Sequence, residues 1–247
     1  MISATYDDSL ARVRISVTDL ATSTVERSLD GVHWEFVRGM SEATTAPFLV
    51  DDYEFTAGVS NQYRDSGGNT VSVTPVMLNA WIKVIGAPYL NQRLHLTGWD
   101  EVTRSSRSGI FEVQGRSDPV VLMDVHSSRS TSITVRTPDI SSRDTLDSSL
   151  NSGQILFLHT PTSSPLPSMY VAALDYSYVR PTQRSVVSVW TIPLREVGKP
   201  GPSVAGFASS WQTVVSTWTT WDLTAADNAT YGDLSEIIGS PTDIIVG

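Results

Sequence analysis

Four histidines, a few adjacent acid pairs and one arginine-bearing loop are the residues of this chain whose chemistry could extend beyond packing. His33, His95, His126 and His159 are scattered, and none has a second histidine at a metal-ligand spacing. Asp30 precedes His33 by three residues across an expected turn, whereas Asp124 and His126 share the face of an expected strand, followed by Ser127 and Ser128. No nucleophile elbow or oxyanion turn surrounds them, so a hydrogen-bonded strand histidine is the competing reading. Asp51-Asp52 and Asp100-Glu101 are expected at turns, where acids satisfy local backbone donors; glycoside hydrolysis would need two acids facing one cleft. Arg104 and Arg107 in EVTRSSRSG, with Arg93 and Arg116 nearby, form the one basic cluster. Without interleaved aromatics it suits a solvated loop or an acidic neighbour better than a nucleic acid. Exposed tryptophans could stack on sugars, but Trp34, Trp81 and Trp190 lie in strand patterns where core packing is commoner. No catalytic residue, metal ligand or cofactor site is assigned.

The elements that would have to position such groups are strands. Ser and Thr make up about a quarter of the 247 residues, and Val, Ile, Thr, Trp and Tyr crowd the periodic segments. A hydrophobic content of 40% is enough to bury a core in one large or two ordinary domains. The absence of cysteine excludes disulfide scaffolds, cysteine-ligated zinc, iron–sulfur clusters and thiol nucleophiles. No phosphate-binding loop, dinucleotide fingerprint, EF-hand or zinc motif is present. A net charge of -9 argues against nucleic acid as a partner. No apolar run approaches membrane-spanning length, and MISATYDDSL lacks the pattern of a signal peptide. Fifteen Arg against two Lys, Lys83 and Lys199, fits a high-GC genome.

Short strands punctuated by turns are expected at Arg12 to Thr18, Thr24 to Ser28, Val32 to Arg38, Tyr53 to Thr56, around Gln62 to Arg64 and at Thr70 to Thr74. This sandwich pattern resembles a fibronectin type III or immunoglobulin-like domain over residues 1–76, with Trp34 as core aromatic and Tyr63 as late-strand tyrosine. Pro75 to Ala80 reads as a linker. Over 81–200 further strands are expected at Trp81 to Ile85, Arg93 to Thr97, Gly109 to Val113, Val120 to Val125, Ser132 to Thr137, Gln154 to His159, Tyr170 to Asp175 and Val186 to Leu194. One helix is expected after a Ser142 N-cap, with Leu146 and Leu150 on its apolar side and Gly153 past its end. Such a helix would plug a barrel end or cover a sheet.

Charge divides the chain in the same places. Residues 1–80 hold 11 acids and 5 bases, 81–200 hold 10 and 12, and 201–247 hold 5 acids and no base. Complementary packing between the parts, or against a neighbouring subunit, is one reading of this asymmetry, and drift in surface composition is the other. In residues 203–247, Trp211, Trp218, Trp221 and Tyr231, with Leu234 and Ile237, are apolar anchors on a segment too short in pattern to fold alone. They suggest an extended arm with short helices that docks on the parent domain or on another subunit; a disordered segment is the alternative.

The run WIKVIGAPYLNQRLHLTGWDEVTRSSRSGIFEVQGRSDPVVLMDVHSSRSTSITVRT, then SGQILFLHTP, MYVAALDYSYV and WTIPLREVGKP, resembles minor tail proteins of long-tailed phages infecting actinobacteria. RSLDGVHWEFVRG and DYEFTAGVSNQYR resemble the sandwich that precedes this region, and TWDL and TYGDL resemble the group's C-terminal segment. The resemblance implies a non-enzymatic structural component at the distal end of the virion tail, made in the host cytoplasm, with a central antiparallel β-barrel like that of distal tail proteins. It implies a homo-oligomer, a ring among the possibilities, with tail tube or hub proteins and other minor tail proteins as partners and no cofactor. The anchors in 203–247 and the Arg104/Arg107 loop are the expected interface residues. A carbohydrate- or receptor-binding tail protein touching a host surface glycan is the alternative function, and a phage-borne cell-wall hydrolase a third.

Overall fold

The computed structural model describes residues 1–18, 21–40, 42–112, 114–115, 117–201 and 223, and over these the chain is mostly β with one α-helix. The N-terminal strands are β1 (Ile2–Asp7), β2 (Arg12–Val17), β3 (Thr22–Ser23), β4 (Val25–Ser28), β5 (Glu35–Phe36), β6 (Thr44–Thr45), β7 (Phe48–Asp52), β8 (Asn61–Asp65) and β9 (Thr70–Val73). They form a β1-β2-β7 sheet, a β5-β4-β8-β9 sheet and a β3-β6 ribbon. Alternation decides which side is buried. Val13, Ile15 and Val17 of β2 point inward with Val25 of β4, Val50 of β7 and Tyr63 of β8.

One expected strand is shortened and another is replaced where side chains capture backbone donors. Asp30 Oδ1 accepts from the amides of Val32 and His33, and Ser28 Oγ from those of Asp30 and Gly31, so only Glu35–Phe36 is left to pair with β4. Likewise, Asp52 Oδ1 takes the Glu54 amide and Asn61 Oδ1 the Thr56 amide, which ends β7 and replaces the strand expected at Tyr53 to Thr56. Trp34 is not the core aromatic: it is half-buried, with the Arg64 guanidinium 4.2 Å over its ring. Phe55, Tyr63 and Trp81 fill the core instead.

The remaining strands are β10 (Ala80–Val84), β11 (Gln92–Leu94), β12 (Leu96–Trp99), β13 (Gly109–Phe111), β14 (Val120–Leu122), β15 (Ser130–Thr137), β16 (Leu156–His159), β17 (Met169–Ala173), β18 (Ser177–Val179) and β19 (Ser188–Glu196). Their main sheet runs β11-β10-β16-β17-β19-β15-β12, antiparallel throughout, with β18 also on β19. Its two ends are consecutive pieces of one chain. Leu94 pairs with Ala80 while Leu96 pairs with Val135, and the Arg136 amide donates to His95 O at 2.9 Å, so the bend at His95 draws the sheet into a barrel. Ile82, Leu94, Ile133, Leu158, Val171 and Trp190 pack inside.

Helix α1 (Ile140–Leu150) closes one end through Leu146 and Leu150. Its N-cap is Asp139, not Ser142: the Asp139 carboxylate accepts from the Ser142 amide at 2.7 Å. Gly153 follows in the left-handed conformation (φ 68°).

Candidate functional site

Three regions stand out once the fold is built: the junction between the two halves, a hairpin projecting from the barrel, and the seam where the barrel closes.

The junction explains why all of β10 and β16 is buried, a pattern expected of strands covered on both faces. Ala80, Ile82 and Val84 face the barrel interior, while Trp81 enters the N-terminal core together with Met77. Lys83, on the same outward face as Trp81, is fully buried; Nζ lies 2.6 Å from Ala11 O, 2.7 Å from Tyr53 O and 2.8 Å from His159 Nδ1. Burial pushes the Lys83 amine down to about 7, against the opposing pull of Asp52 and Glu54. Burial first, then the Lys83 charge, holds His159 well below the usual histidine range. Around this pair, Arg27 Nη1 donates to Asp52 at 2.7 Å and Nη2 to Glu35, which also accepts from Lys199 Nζ at 2.6 Å. Arg38 holds Glu54 and donates to the Pro200 and Gly201 carbonyls, and Tyr170 Oη donates to Glu54 at 2.7 Å. Cavities of about 270 and 480 Å³ flank this network. Arg27, Glu54 and Lys199 border both and all are paired, so the arrangement fastens the halves together.

The hairpin lies between β12 and β15. Strand β13 pairs with β14 through Gly109–Leu122, Ile110–Val121 and Phe111–Val120. In a half-buried ribbon one face would be polar. Here Ile110 and Val121 point one way and Phe111 and Val120 the other, and all are exposed, as are Leu122, Met123 and Val125. Met123 is 77% exposed, Val125 70% and Ile110 66%, so the hairpin does not fold back on its own barrel.

Of the groups singled out in the sequence, Arg104 and Arg107 are exposed in the segment leading to this hairpin. Arg104 lies near Glu196, whose carboxyl is held down at about 2, chiefly by its bond with Arg129. Arg116, Trp211, Trp218, Trp221, Tyr231, Leu234 and Ile237 lie outside the described residues. His33 Nδ1 meets Asp30 at 2.6 Å across the turn, and the Ser28 hydroxyl donates to the same carboxylate at 3.0 Å rather than to the imidazole, so no nucleophile is paired with this histidine. The Asp124 carboxylate is taken by the neighbouring Val125 amide. Among the described residues no three His, Asp or Glu side chains group as metal ligands. Trp99 is half exposed on β12, whereas Trp81 and Trp190 are core. Sequence reasoning passed over Lys83 because a lysine inside a strand looks like a surface residue until a second layer covers it.

No family model matches the sequence, and no curated protein matches it. Among solved structures the chain is similar to one described as the tail of an empty GTA particle computed with helical refinement in C6 symmetry. The match has 13% identity and a TM-score of 0.33, and covers 49% of this chain and 92% of the other.

Proposed function

We propose that this chain is a structural subunit of a phage tail, placed at its distal tip, that assembles with copies of itself and with tube, hub or other minor tail proteins and catalyses no reaction. In this reading it is organised as a sandwich (1–76), a barrel (81–200) and a C-terminal arm (203–247). The tail assignment rests on the sequence resemblance over Trp81 to Pro200. The observation that carries the assembly role is the hairpin, apolar on both faces and uncovered. Fully burying one large aliphatic or aromatic side chain is worth roughly 1.5–3 kcal/mol, and a cluster of seven on one projection is what an interface element presents before it meets its partner.

The test has two arms. Purified full chain should self-associate in light scattering, and the chain with Ile110→Ser, Phe111→Ser and Leu122→Ser should remain folded by circular dichroism but lose that association. In virions, antibody labelling should mark the distal tail end. A chain absent from purified virions, or hairpin variants that associate like the unaltered chain, would overturn the reading.

A further inference from the structure

Seven of the described arginines meet a carboxylate: Arg12, Arg14, Arg27, Arg38, Arg64, Arg129 and Arg143. Arg93 and Arg136 do not, although they sit together at the barrel seam. The backbone bond from Arg136 N to His95 O makes these two residues cross-strand neighbours, and Arg93 follows on the same outward side of the chain. All three side chains are exposed and border a cavity of about 360 Å³ that also reaches Pro138 at the start of α1. Cations on neighbouring positions repel one another, and the nearest carboxylate in sequence, Asp139, is turned to the Ser142 amide and hydroxyl. The seam thus presents positive charge with no internal counter-ion among the described residues, beside an exposed apolar residue, Ile140.

The hairpin carries the complement. Between Gly109 and Val125 the sequence holds three acids, Glu112, Asp118 and Asp124, against one arginine. Glu112 and Asp118 are exposed among its apolar side chains. The two features lie at opposite ends of the same strand pair. The hairpin segment leaves where β12 ends at Trp99 and β15 begins at Ser130, while the cavity sits at Leu94, His95 and Thr137, at the other end of the eight-residue β15, or roughly 23 Å away. A hairpin that does not fold back cannot fill the cavity of its own copy.

We propose that the seam cavity formed by Arg93, His95 and Arg136 receives the acidic, apolar hairpin of a second copy, so that copies join head to tail along the barrel. Donor and acceptor are different surfaces, which makes the contact heterologous and extends or closes the assembly according to the rotation between copies. The inference rests on the reading of the hairpin as an assembly element and adds its receptor.

Charge swapping in the full chain tests it. Arg93→Glu with Arg136→Glu should keep the melting curve yet weaken self-association, read by analytical ultracentrifugation, by roughly ten- to a hundredfold. Glu112→Arg with Asp118→Arg should weaken it similarly, and mixing the two variants should restore it, because both hairpin-to-seam contacts between unlike copies then pair opposite charges while contacts between like copies repel. Cross-links should run from the hairpin to residues 92–95 or 136–142. If the serine hairpin variants dissociate the assembly while the seam variant associates normally, or the mixture fails to recover, the receptor assignment falls and the assembly role stands. If neither class of variant alters association, both fall.

Discussion

At Lys83 the protonation state decides how well a buried cluster is satisfied. A neutral amine can donate to Ala11 O and Tyr53 O and accept from His159 Nδ1–H, which leaves His159 Nε2 as a bare lone pair. A charged ammonium must donate to Nδ1 as well, which puts a proton on Nε2 and leaves a buried N–H without an acceptor. The neutral form is therefore the better fit, in agreement with an amine pushed down to about 7 from 10.5. Between those two pH values the unfolded chain holds a proton that the folded chain has released, so stability should rise with pH across that window, by at most about 1.4 kcal/mol per unit. Urea unfolding at a series of pH values from 7 to 9 checks this, and a flat or falling profile contradicts it. Lys83→Met should flatten the profile. It should also cost about 2–4 kcal/mol, because two buried carbonyls lose their donor.

At the level of elements, the segment between β12 and β15 and helix α1 represent opposite uses of chain. None of the described residues among 100–129 belongs to either apolar core. Replacing 105–126 by a short turn should therefore leave thermal unfolding within a few degrees of the unaltered chain, as loop deletions do when no core contact is lost. Leu146, by contrast, is fully buried at the barrel end. Leu146→Ala should cost about 2–5 kcal/mol, measured by the shift in denaturant midpoint. Equal effects from both changes would mean that the hairpin packs on its own barrel. Gly58 marks a tight fit between elements of the two halves: it adopts φ +72°, and a Cβ there would overlap Thr162. Gly58→Ala should therefore destabilise the junction, whereas Gly68→Ala, also at positive φ but in open space, isolates the backbone cost alone.

For the whole molecule, the division at 76–81 becomes a quantitative expectation. A fragment of residues 1–76 should give a dispersed amide spectrum, yet melt below the full chain because Met77 and Trp81 belong to its core cluster; a collapsed spectrum would remove that unit from the organisation proposed. Removal of 203–247 should leave a folded protein that fails to enter tails, since the segment supplies aromatic anchors and no base; normal incorporation would refute an arm that docks on a neighbour. By itself the sequence determined the β class, most strand positions and the two core leucines of α1. Alternation and turn residues act within a few residues of one another, so they survive in one dimension. It did not determine that His95 is the corner at which the sheet closes, that Lys83 is buried, or that Arg93 and Arg136 border one cavity. Those facts depend on which strands meet and which faces a second layer covers. Tertiary structure alone decided them, because burial and charge pairing belong to contacts between segments distant along the chain.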